Sequence, residues 1–140
     1  MLIGVLKEIK TREFRVGLVP ISVTELVRRG HQVLVETEAG QGIGADDAEY
    51  KAAGAEIASS AADVFARAEM IVKVKEPQPN EWVQLSSKQI LFTYLHLAAD
   101  APQAFGLAES GCTAIAYETI TDDAGGLPLL APMSEVAGRL

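Results

Sequence analysis

Short apolar runs rich in β-branched residues recur along the chain, and segments with a helical pattern separate them. The runs cover residues 2–6, 32–35, 70–74, 90–94 and 113–117. Each is apolar nearly throughout, which is typical of strands that are covered on both faces of a sheet. The pattern therefore predicts five buried strands.

The segments between these runs show helical spacing. In residues 22–29 the apolar Val23, Leu26 and Val27 share one face, and Gly30 follows as a helix-ending residue. Similar patterns predict helices over residues 46–53, 60–68 and 101–109, whereas residues 76–80 and 122–126 are predicted to be loops. Alternating strands and helices predict an α/β fold, a doubly wound and mainly parallel five-stranded sheet of flavodoxin-like or Rossmann-like type.

Composition narrows the class of protein. The 140 residues fit one domain, and 49% apolar with 22% charged residues is the balance of a soluble globular protein. Twelve Lys and Arg against 19 Asp and Glu leave a net charge of −7, which argues against nucleic-acid or anionic-membrane partners. No apolar run approaches the roughly 18 residues of a membrane span, and the N-terminus lacks the basic region of a signal peptide.

Cysteine usage points to the same kind of protein. Cys112 is the single cysteine, so one chain can form neither a disulfide nor a cysteine-based metal site. We therefore expect no metal and a cytoplasmic location.

Polar residues follow the predicted strands where each strand ends. Open parallel sheets bind ligands beyond the carboxyl ends of their strands, where the strand order reverses. The residues in these positions are Lys7 and Arg15 after the first run, Lys73 and Lys75 at the end of the third, His96 after the fourth and Glu118 at the end of the fifth. Their common placement predicts a polar site on one rim, and the alternative is ordinary surface charge.

Three of these residues suit particular chemistry. The guanidinium of Arg15 can bind a carboxylate through two parallel hydrogen bonds, and the alternative is that Arg12 and Arg15 pair with Glu8 and Glu13 at the surface. Lys75, near a strand end, is the better candidate for a ligand contact, while Lys73 lies further inside and suits a buried pair with Glu76, Glu118 or a ligand. The imidazole of His96 suits proton transfer near neutral pH, and a satisfied rim histidine is the alternative.

The glycine-rich segment 40–44 is a weaker candidate for a nucleotide loop. Its spacing is G-x-G-x-G rather than G-x-G-x-x-G, and Asp46 and Asp47 follow it, where they would repel a phosphate. We interpret the segment as a turn that leads into a helix.

The motifs together carry a resemblance that extends over essentially the whole chain. The key stretches are Lys73-Val74-Lys75-Glu76-Pro77 and Tyr94-Leu95-His96-Leu97. Further matching stretches are residues 3–5, 7–10, 15–16, 20, 30–31, 33–36, 53–55, 116–118 and 128–139. The sequence resembles the N-terminal domains of alanine dehydrogenases and their transhydrogenase relatives, and the histidine stretch favours the alanine dehydrogenases.

The resemblance implies NAD-dependent oxidation of L-alanine to pyruvate and ammonia. It assigns substrate binding to Arg15 and Lys75, catalysis to His96 and Lys75, and cofactor contacts to Met133 and Ser134. It also implies a homo-oligomer, typically a hexamer. Family members hold NAD mainly in a second domain, so residues 1–131 are expected to form the substrate domain and residues 132–140 the start of a connecting helix.

Two alternatives remain at this stage. The first is the corresponding domain of a proton-translocating transhydrogenase α-subunit, which would not require His96. The second is a stand-alone module that binds carboxylates. Without the second domain, the chain is expected to show no dehydrogenase turnover.

Overall fold

Six parallel strands form a single sheet in the order β3-β2-β1-β4-β5-β6. In the computed structural model, which describes residues 1–139, the strands are β1 (Leu2–Val5), β2 (Gln32–Glu36), β3 (Glu56–Ala58), β4 (Met70–Val72), β5 (Ile90–Thr93) and β6 (Thr113–Ala116). This arrangement confirms the predicted α/β class and parallel sheet.

Six α-helices accompany the sheet. They are α1 (Pro20–Arg28), α2 (Asp47–Ala52), α3 (Ala61–Arg67), α4 (Pro79–Trp82), α5 (Ala101–Ser110) and α6 (Ala131–Ala137). Their starts follow local chemistry, because Asp46, Ser60 and Asp100 each accept a hydrogen bond from a backbone N–H of the first turn. Helix α5 ends at Gly111, whose φ of 69° is readily adopted by glycine.

The two faces of the sheet build separate apolar cores. Leu6 and Leu34 pack with Val64 of α3 and Leu107 of α5. On the other face, Val5 and Val35 pack with Val23 of α1 and Tyr50 of α2. The remaining buried residues of that cluster are Val16, Val33, Ala39, Ala45 and Ala55. Neighbouring strand residues thus serve opposite faces, which explains why the strands are apolar throughout.

The strand order reverses between β1 and β4. Strand β1 pairs with β2 on one side and with β4 on the other. The segments that follow β1 and β4 therefore leave the same edge of the sheet side by side, with the segments after β5 and β6 beyond them.

The structure corrects several predicted elements. A sixth strand, β3, lies at the sheet edge, so the predicted number of five was too low. Strand β4 ends at Val72 rather than at residue 74, and α4 begins at Pro79, inside the segment 76–80 predicted to be a loop. Helix α6 begins at Ala131, and Leu140, the last residue of the predicted segment 132–140, lies outside the described residues.

No helix within residues 1–139 combines the length and the apolar character needed to cross a membrane.

Candidate functional site

The carboxyl ends of β1, β4, β5 and β6 bring the predicted polar residues to one rim. The segments that carry them are joined by hydrogen bonds between side chains and backbone. Each of two glutamates, Glu8 and Glu118, binds backbone amides of the segment after a neighbouring strand. The rim is therefore one connected structure rather than a row of independent side chains.

Glu8 holds the segment that carries Lys75. Its Oε1 accepts a hydrogen bond from the Val74 N–H at 2.6 Å and a longer one from the Lys75 N–H at 3.4 Å. On the far side, the Thr93 hydroxyl donates to the Lys75 carbonyl at 2.8 Å. The backbone of Lys75 is thus held from β1 and from β5, which directs its side chain from a defined point on the rim.

Lys73 forms a buried ion cluster beneath this segment. Its Nζ lies 2.7 Å from Glu81 and 3.3 Å from Glu8, and the three side chains are 1%, 5% and 2% exposed. Burial raises the pKa of Glu8, and the positive charge of Lys73 opposes that shift. Lys73 is therefore in a structural pair, as proposed from its position, but its partners are Glu8 and Glu81 rather than Glu76 or Glu118.

Glu118 holds the turn that carries His96. One oxygen, Oε1, accepts hydrogen bonds from the Leu95 N–H at 3.1 Å and from the His96 N–H at 2.8 Å. Below the turn, the Gln103 side chain donates to the Leu95 carbonyl at 2.8 Å. Both backbone polar groups of Leu95 are thus bound by side chains.

His96 itself is exposed and has an unusual backbone conformation. Its φ is 48°, in the left-handed region that non-glycine residues seldom adopt. Its ring stacks on Tyr94, with centroids 5.2 Å apart and an interplanar angle of 13°. Burial raises the pKa of Tyr94, and the negative charge of Glu118 adds to that shift. Tyr94 is a neighbour of His96 that sequence reasoning did not single out.

Arg15 lies in the loop between β1 and α1, in a cleft of about 400 Å³ that Lys7, Glu8 and Glu13 also line. Its guanidinium donates to both oxygens of Glu13, at 2.8 and 2.6 Å, and this bonding lowers the pKa of Glu13. The surface pair considered from the sequence is therefore present. Glu13 occupies the edge of this guanidinium formed by Nε and one Nη, so a second carboxylate would bind there bidentately only by replacing Glu13.

Gly42 allows this loop to approach the rest of the rim. A Cβ at residue 42 would lie 2.2 Å from the Phe14 carbonyl oxygen, well inside contact distance. The backbone that precedes Arg15 therefore packs directly on the turn after β2, and a glycine is required there for steric reasons.

Three of the five predicted site residues, Arg15, Lys75 and His96, share charged or aromatic neighbours. The charge of Lys75 contributes to the lowered pKa of Glu13, after the larger effect of the Arg15 hydrogen bond. Arg15 in turn opposes the rise in the pKa of Tyr94, whose ring stacks on His96. Lys75 and Arg15 thus both act on Glu13, and Arg15 also acts on the tyrosine that stacks on His96; no hydrogen bond or ion pair joins the three residues directly within residues 1–139.

Met133 and Ser134 lie in α6. Met133 lines an apolar hollow of about 420 Å³ together with Phe92 and Tyr117, while Ser134 is exposed. Their assignment to a cofactor stays a prediction.

The glycine-rich segment 40–44 does not form a dinucleotide phosphate site. The turn at residues 41–43 leads into α2, and the carboxylates beside it are engaged in folding. Asp46 caps α2, and Asp47 accepts hydrogen bonds from Thr37 and from the Glu38 backbone. Carboxylates in these positions disfavour a phosphate, in agreement with the interpretation of this segment as a turn. Within residues 1–139 there is also no group of three or more side chains arranged to hold a metal ion.

Sequence reasoning missed Glu8, Glu81 and Gln103 as parts of the rim. Glu8 was visible only as one charge in a polar loop. Glu81 carried a usable signal, because Pro79 precedes it and Gln78 stands three residues before it, as in a capped helix start. Gln103 carried no signal, since its role depends on contact with Leu95.

Comparison with known proteins gives a consistent result. The family model described as "Alanine dehydrogenase/PNT, N-terminal domain" matches residues 4–137. The alanine dehydrogenase of Halomonas elongata is 56% identical over 140 residues, which are 100% of this chain and 38% of that protein. The alanine dehydrogenase of Bacillus subtilis is 54% identical over 140 residues, again 100% of this chain but 36% of that protein.

Solved structures show the same likeness. An L-alanine dehydrogenase structure superposes with a TM-score of 0.95 at 55% identity, over 99% of this chain and 38% of that chain. A transhydrogenase from Sinorhizobium meliloti superposes with a TM-score of 0.79 at 30% identity, over 84% of this chain and 35% of that chain.

The chain thus spans less than two-fifths of these relatives' length, since it covers 35–38% of each. The match from residue 4 to residue 137, together with the shared fold, shows that this chain belongs to the alanine dehydrogenase/PNT N-terminal domain family.

Proposed function

We propose that this chain is the substrate-binding part of an NAD-dependent L-alanine dehydrogenase. The reaction is L-alanine + NAD⁺ + H₂O → pyruvate + NH₄⁺ + NADH + H⁺. The observation that carries the proposal is the rim itself, where a carboxylate-binding arginine, a lysine held by its backbone and an exposed histidine share one neighbourhood. The higher identity to alanine dehydrogenases than to the transhydrogenase favours this function over the transhydrogenase alternative.

Each residue has a distinct role in this proposal. Arg15 binds the substrate carboxylate with the bidentate geometry that it shows toward Glu13. Lys75 binds the carbonyl oxygen of pyruvate and stabilises negative charge that develops there. His96 transfers the proton as water adds to, or leaves from, the α-carbon.

The cofactor requires residues outside this set. NAD, when bound, would accept the hydride, and the glycine-rich segment 40–44 does not suit its phosphates because Asp46 and Asp47 follow it. The relatives are longer than this chain, and we propose that a further domain, corresponding to their additional residues, binds most of NAD. Met133 and Ser134 contact the nicotinamide end of the cofactor in this proposal. In this proposal residues 1–131 form the substrate domain, and residues 132–140 begin the connection.

The wider setting follows from the family. We propose that the protein acts in the cytoplasm on L-alanine and pyruvate as a homo-oligomer, typically a hexamer. The excess of acidic residues supports the absence of a nucleic-acid partner.

Pyruvate titration of the chain tests the proposal. Replacing Arg15 by alanine removes a charge-assisted bidentate contact, so pyruvate binding should weaken at least about tenfold. Arg12→Ala is the matched control, because it removes the same charge from the same exposed loop, and it should change the affinity less than about twofold. Isothermal titration calorimetry measures both variants against the unmodified chain.

Two outcomes would contradict the proposal. Absence of pyruvate binding to the unmodified chain would favour the transhydrogenase alternative, and equal effects of the two arginine variants would remove Arg15 from the site. The chain alone should show no alanine-dependent reduction of NAD. Alanine-dependent reduction of NAD by the pure chain would contradict the proposal that a further domain binds most of the cofactor.

A further inference from the structure

We propose that Glu118 is a positioning residue that holds the His96 turn in its left-handed conformation. The inference rests on the proposed function, because it assigns Glu118 a role through His96 rather than a contact with substrate. It gives a purpose to a carboxylate for which neither the sequence nor the family resemblance suggests one.

The first observation is the pattern of hydrogen bonds. Glu118 lies directly after β6 and binds two consecutive amides that follow β5, those of Leu95 and His96. Strand pairing between β5 and β6 ends at the Thr93–Ala116 pair. The Glu118 side chain thus continues the connection between these strands after the backbone ladder stops.

The second observation is the conformation that these bonds hold. A histidine at φ 48° is in the left-handed region, where the Cβ of an L residue crowds the following carbonyl oxygen. Such a conformation persists only where its surroundings favour it. The His96 N–H donates to Glu118 at 2.8 Å, which is shorter than the 3.1 Å bond from the Leu95 N–H and as short as the Gln103 bond to the Leu95 carbonyl.

The third observation is a second support on the opposite side of the turn. Gln103 is fully buried in α5, and its side-chain N–H group donates to the Leu95 carbonyl at 2.8 Å. Its other polar atom, Oε1, has no hydrogen-bond partner among the residues described. The hydrogen bond of the Gln103 side chain among the described residues is thus the one to the Leu95 carbonyl. The turn is held by Glu118 through its N–H groups and by Gln103 through a carbonyl group.

The geometry favours positioning over proton transfer by Glu118 itself. Oε1 already accepts two amide bonds, and Oε2 lies 3.4 Å from the Leu95 N–H. A carboxylate whose oxygens face backbone N–H donors is well placed to serve as a hydrogen-bond acceptor. The side chain of this turn that we assign to proton transfer is the His96 ring, which is stacked on Tyr94.

A matched pair of variants distinguishes the effect of the length of the Glu118 side chain from the effect of its charge. Glu118→Gln keeps a carbonyl oxygen at the same reach and removes the charge. Glu118→Asp keeps the charge and shortens the side chain by one methylene. If Glu118 acts by positioning, the glutamine variant should resemble the unmodified chain and the aspartate variant should not.

Nuclear magnetic resonance of the chain provides a readout that needs no activity. In Glu118→Asp we expect amide hydrogen exchange at Leu95 and His96 to become about tenfold faster. We also expect the His96 ring protons to lose the ring-current shift that stacking on Tyr94 produces. Amides in the β1–β2 pairing should stay unchanged, which distinguishes a local effect from general loss of structure.

The opposite pattern would overturn the inference. Two results would show that the length of the Glu118 side chain does not position His96. One is slow amide exchange and an unchanged His96 ring-current shift in Glu118→Asp, and the other is loss of both in Glu118→Gln. Gln103→Met supplies an independent check, because it removes the bond to the Leu95 carbonyl without changing any charge. It should disturb the same two amides and the same ring protons.

Kinetics of the complete dehydrogenase that contains this chain extend the test. Glu118→Asp should lower kcat about tenfold or more and leave KM for pyruvate within about twofold, because misplacing a catalytic group affects the reaction step. In a His96→Ala background the same change should have no further effect. If His96→Ala leaves kcat unchanged, the proposed function fails, whereas a normal effect of His96→Ala with none from Glu118→Asp contradicts only the inference.

Discussion

Glu8 and Glu118 bind the backbone in the same way but in different surroundings. Each lies after one strand and accepts hydrogen bonds from two consecutive amides after a neighbouring strand. The second amide belongs to Lys75 in one case and to His96 in the other. However, the Glu8 side chain is 2% exposed and in contact with Lys73, whereas Glu118 is half-buried and has no cation partner within residues 1–139.

A glutamate that binds two consecutive backbone amides can therefore contribute mainly to folding stability, as Glu8 does, or mainly to local conformation, as Glu118 does. A carboxylate removed from water requires a nearby cation and further hydrogen bonds, so Glu8, Lys73 and Glu81 depend on each other. Glu118 remains partly hydrated, and its bonds to the backbone mainly select the conformation of His96. We therefore expect changes near Glu8 to affect folding and changes at Glu118 to affect the site.

The largest effect is expected from Lys73→Met. This change leaves Glu8 and Glu81 as buried carboxylates without their shared cation, which should lower the free energy of unfolding by about 3–5 kcal/mol. Lys75→Met is the matched control, since Lys75 is half-buried and should cost less than about 1 kcal/mol. Urea unfolding followed by circular dichroism measures both, and equal losses would contradict the contrast between the two lysines.

The burial of Glu8 should also make the stability of the protein depend on pH. Burial raises the pKa of Glu8 above its ordinary value of 4.5, so the folded state binds the proton more tightly than the unfolded state does. The free energy of unfolding should therefore fall as pH rises from 4.5 to the raised pKa, by at most about 1.4 kcal/mol per pH unit, and then level off.

Glu8→Gln should reduce this slope. Glu36, whose pKa is also raised by burial, should leave a residual slope of the same sign. Exposed Glu25 provides the control, because Glu25→Gln should leave the slope as it is in the unmodified chain. Urea unfolding between about pH 4 and pH 8 measures all three proteins, and an unchanged slope in Glu8→Gln would assign the pH dependence to other groups.

The smallest change in stability is expected at Glu118. Glu118→Ala removes two hydrogen bonds from a turn that water can reach, so it should lower the free energy of unfolding by about 1 kcal/mol. Glu118→Gln should have a smaller effect because it keeps an acceptor. A loss as large as that of Lys73→Met would mean that Glu118 is a folding residue, like Glu8.

Most of the secondary structure could be predicted from the sequence because the signals are local. Five strands are apolar runs, and the helix starts at Ser60 and Asp100 have side chains that cap them. Strand β3 was missed because its three residues, Glu56–Ala58, begin with a charge and lie at the sheet edge. Helix α4 was missed because its proline-rich start was interpreted as a loop.

The candidate site was only partly predictable for the same reason. The placement of Arg15, Lys75 and His96 after strands follows from the strand pattern and a general rule for parallel sheets. Their neighbours do not, because Glu8 and Val74 are 66 residues apart in sequence and Glu118 and Leu95 are 23 apart. Contacts over such distances leave no periodic signal in the chain.

The sequence by itself determined the alternation of strands and helices, the family resemblance and the residue types that line the rim. Hydrophobic period and capping chemistry act within a few residues and can be recognised one segment at a time. Only the tertiary structure decided which carboxylate holds which segment, why Lys73 is buried and why His96 adopts a left-handed conformation. These features depend on the order of β1, β4, β5 and β6 in the sheet, which brings distant charges and amides within hydrogen-bond distance.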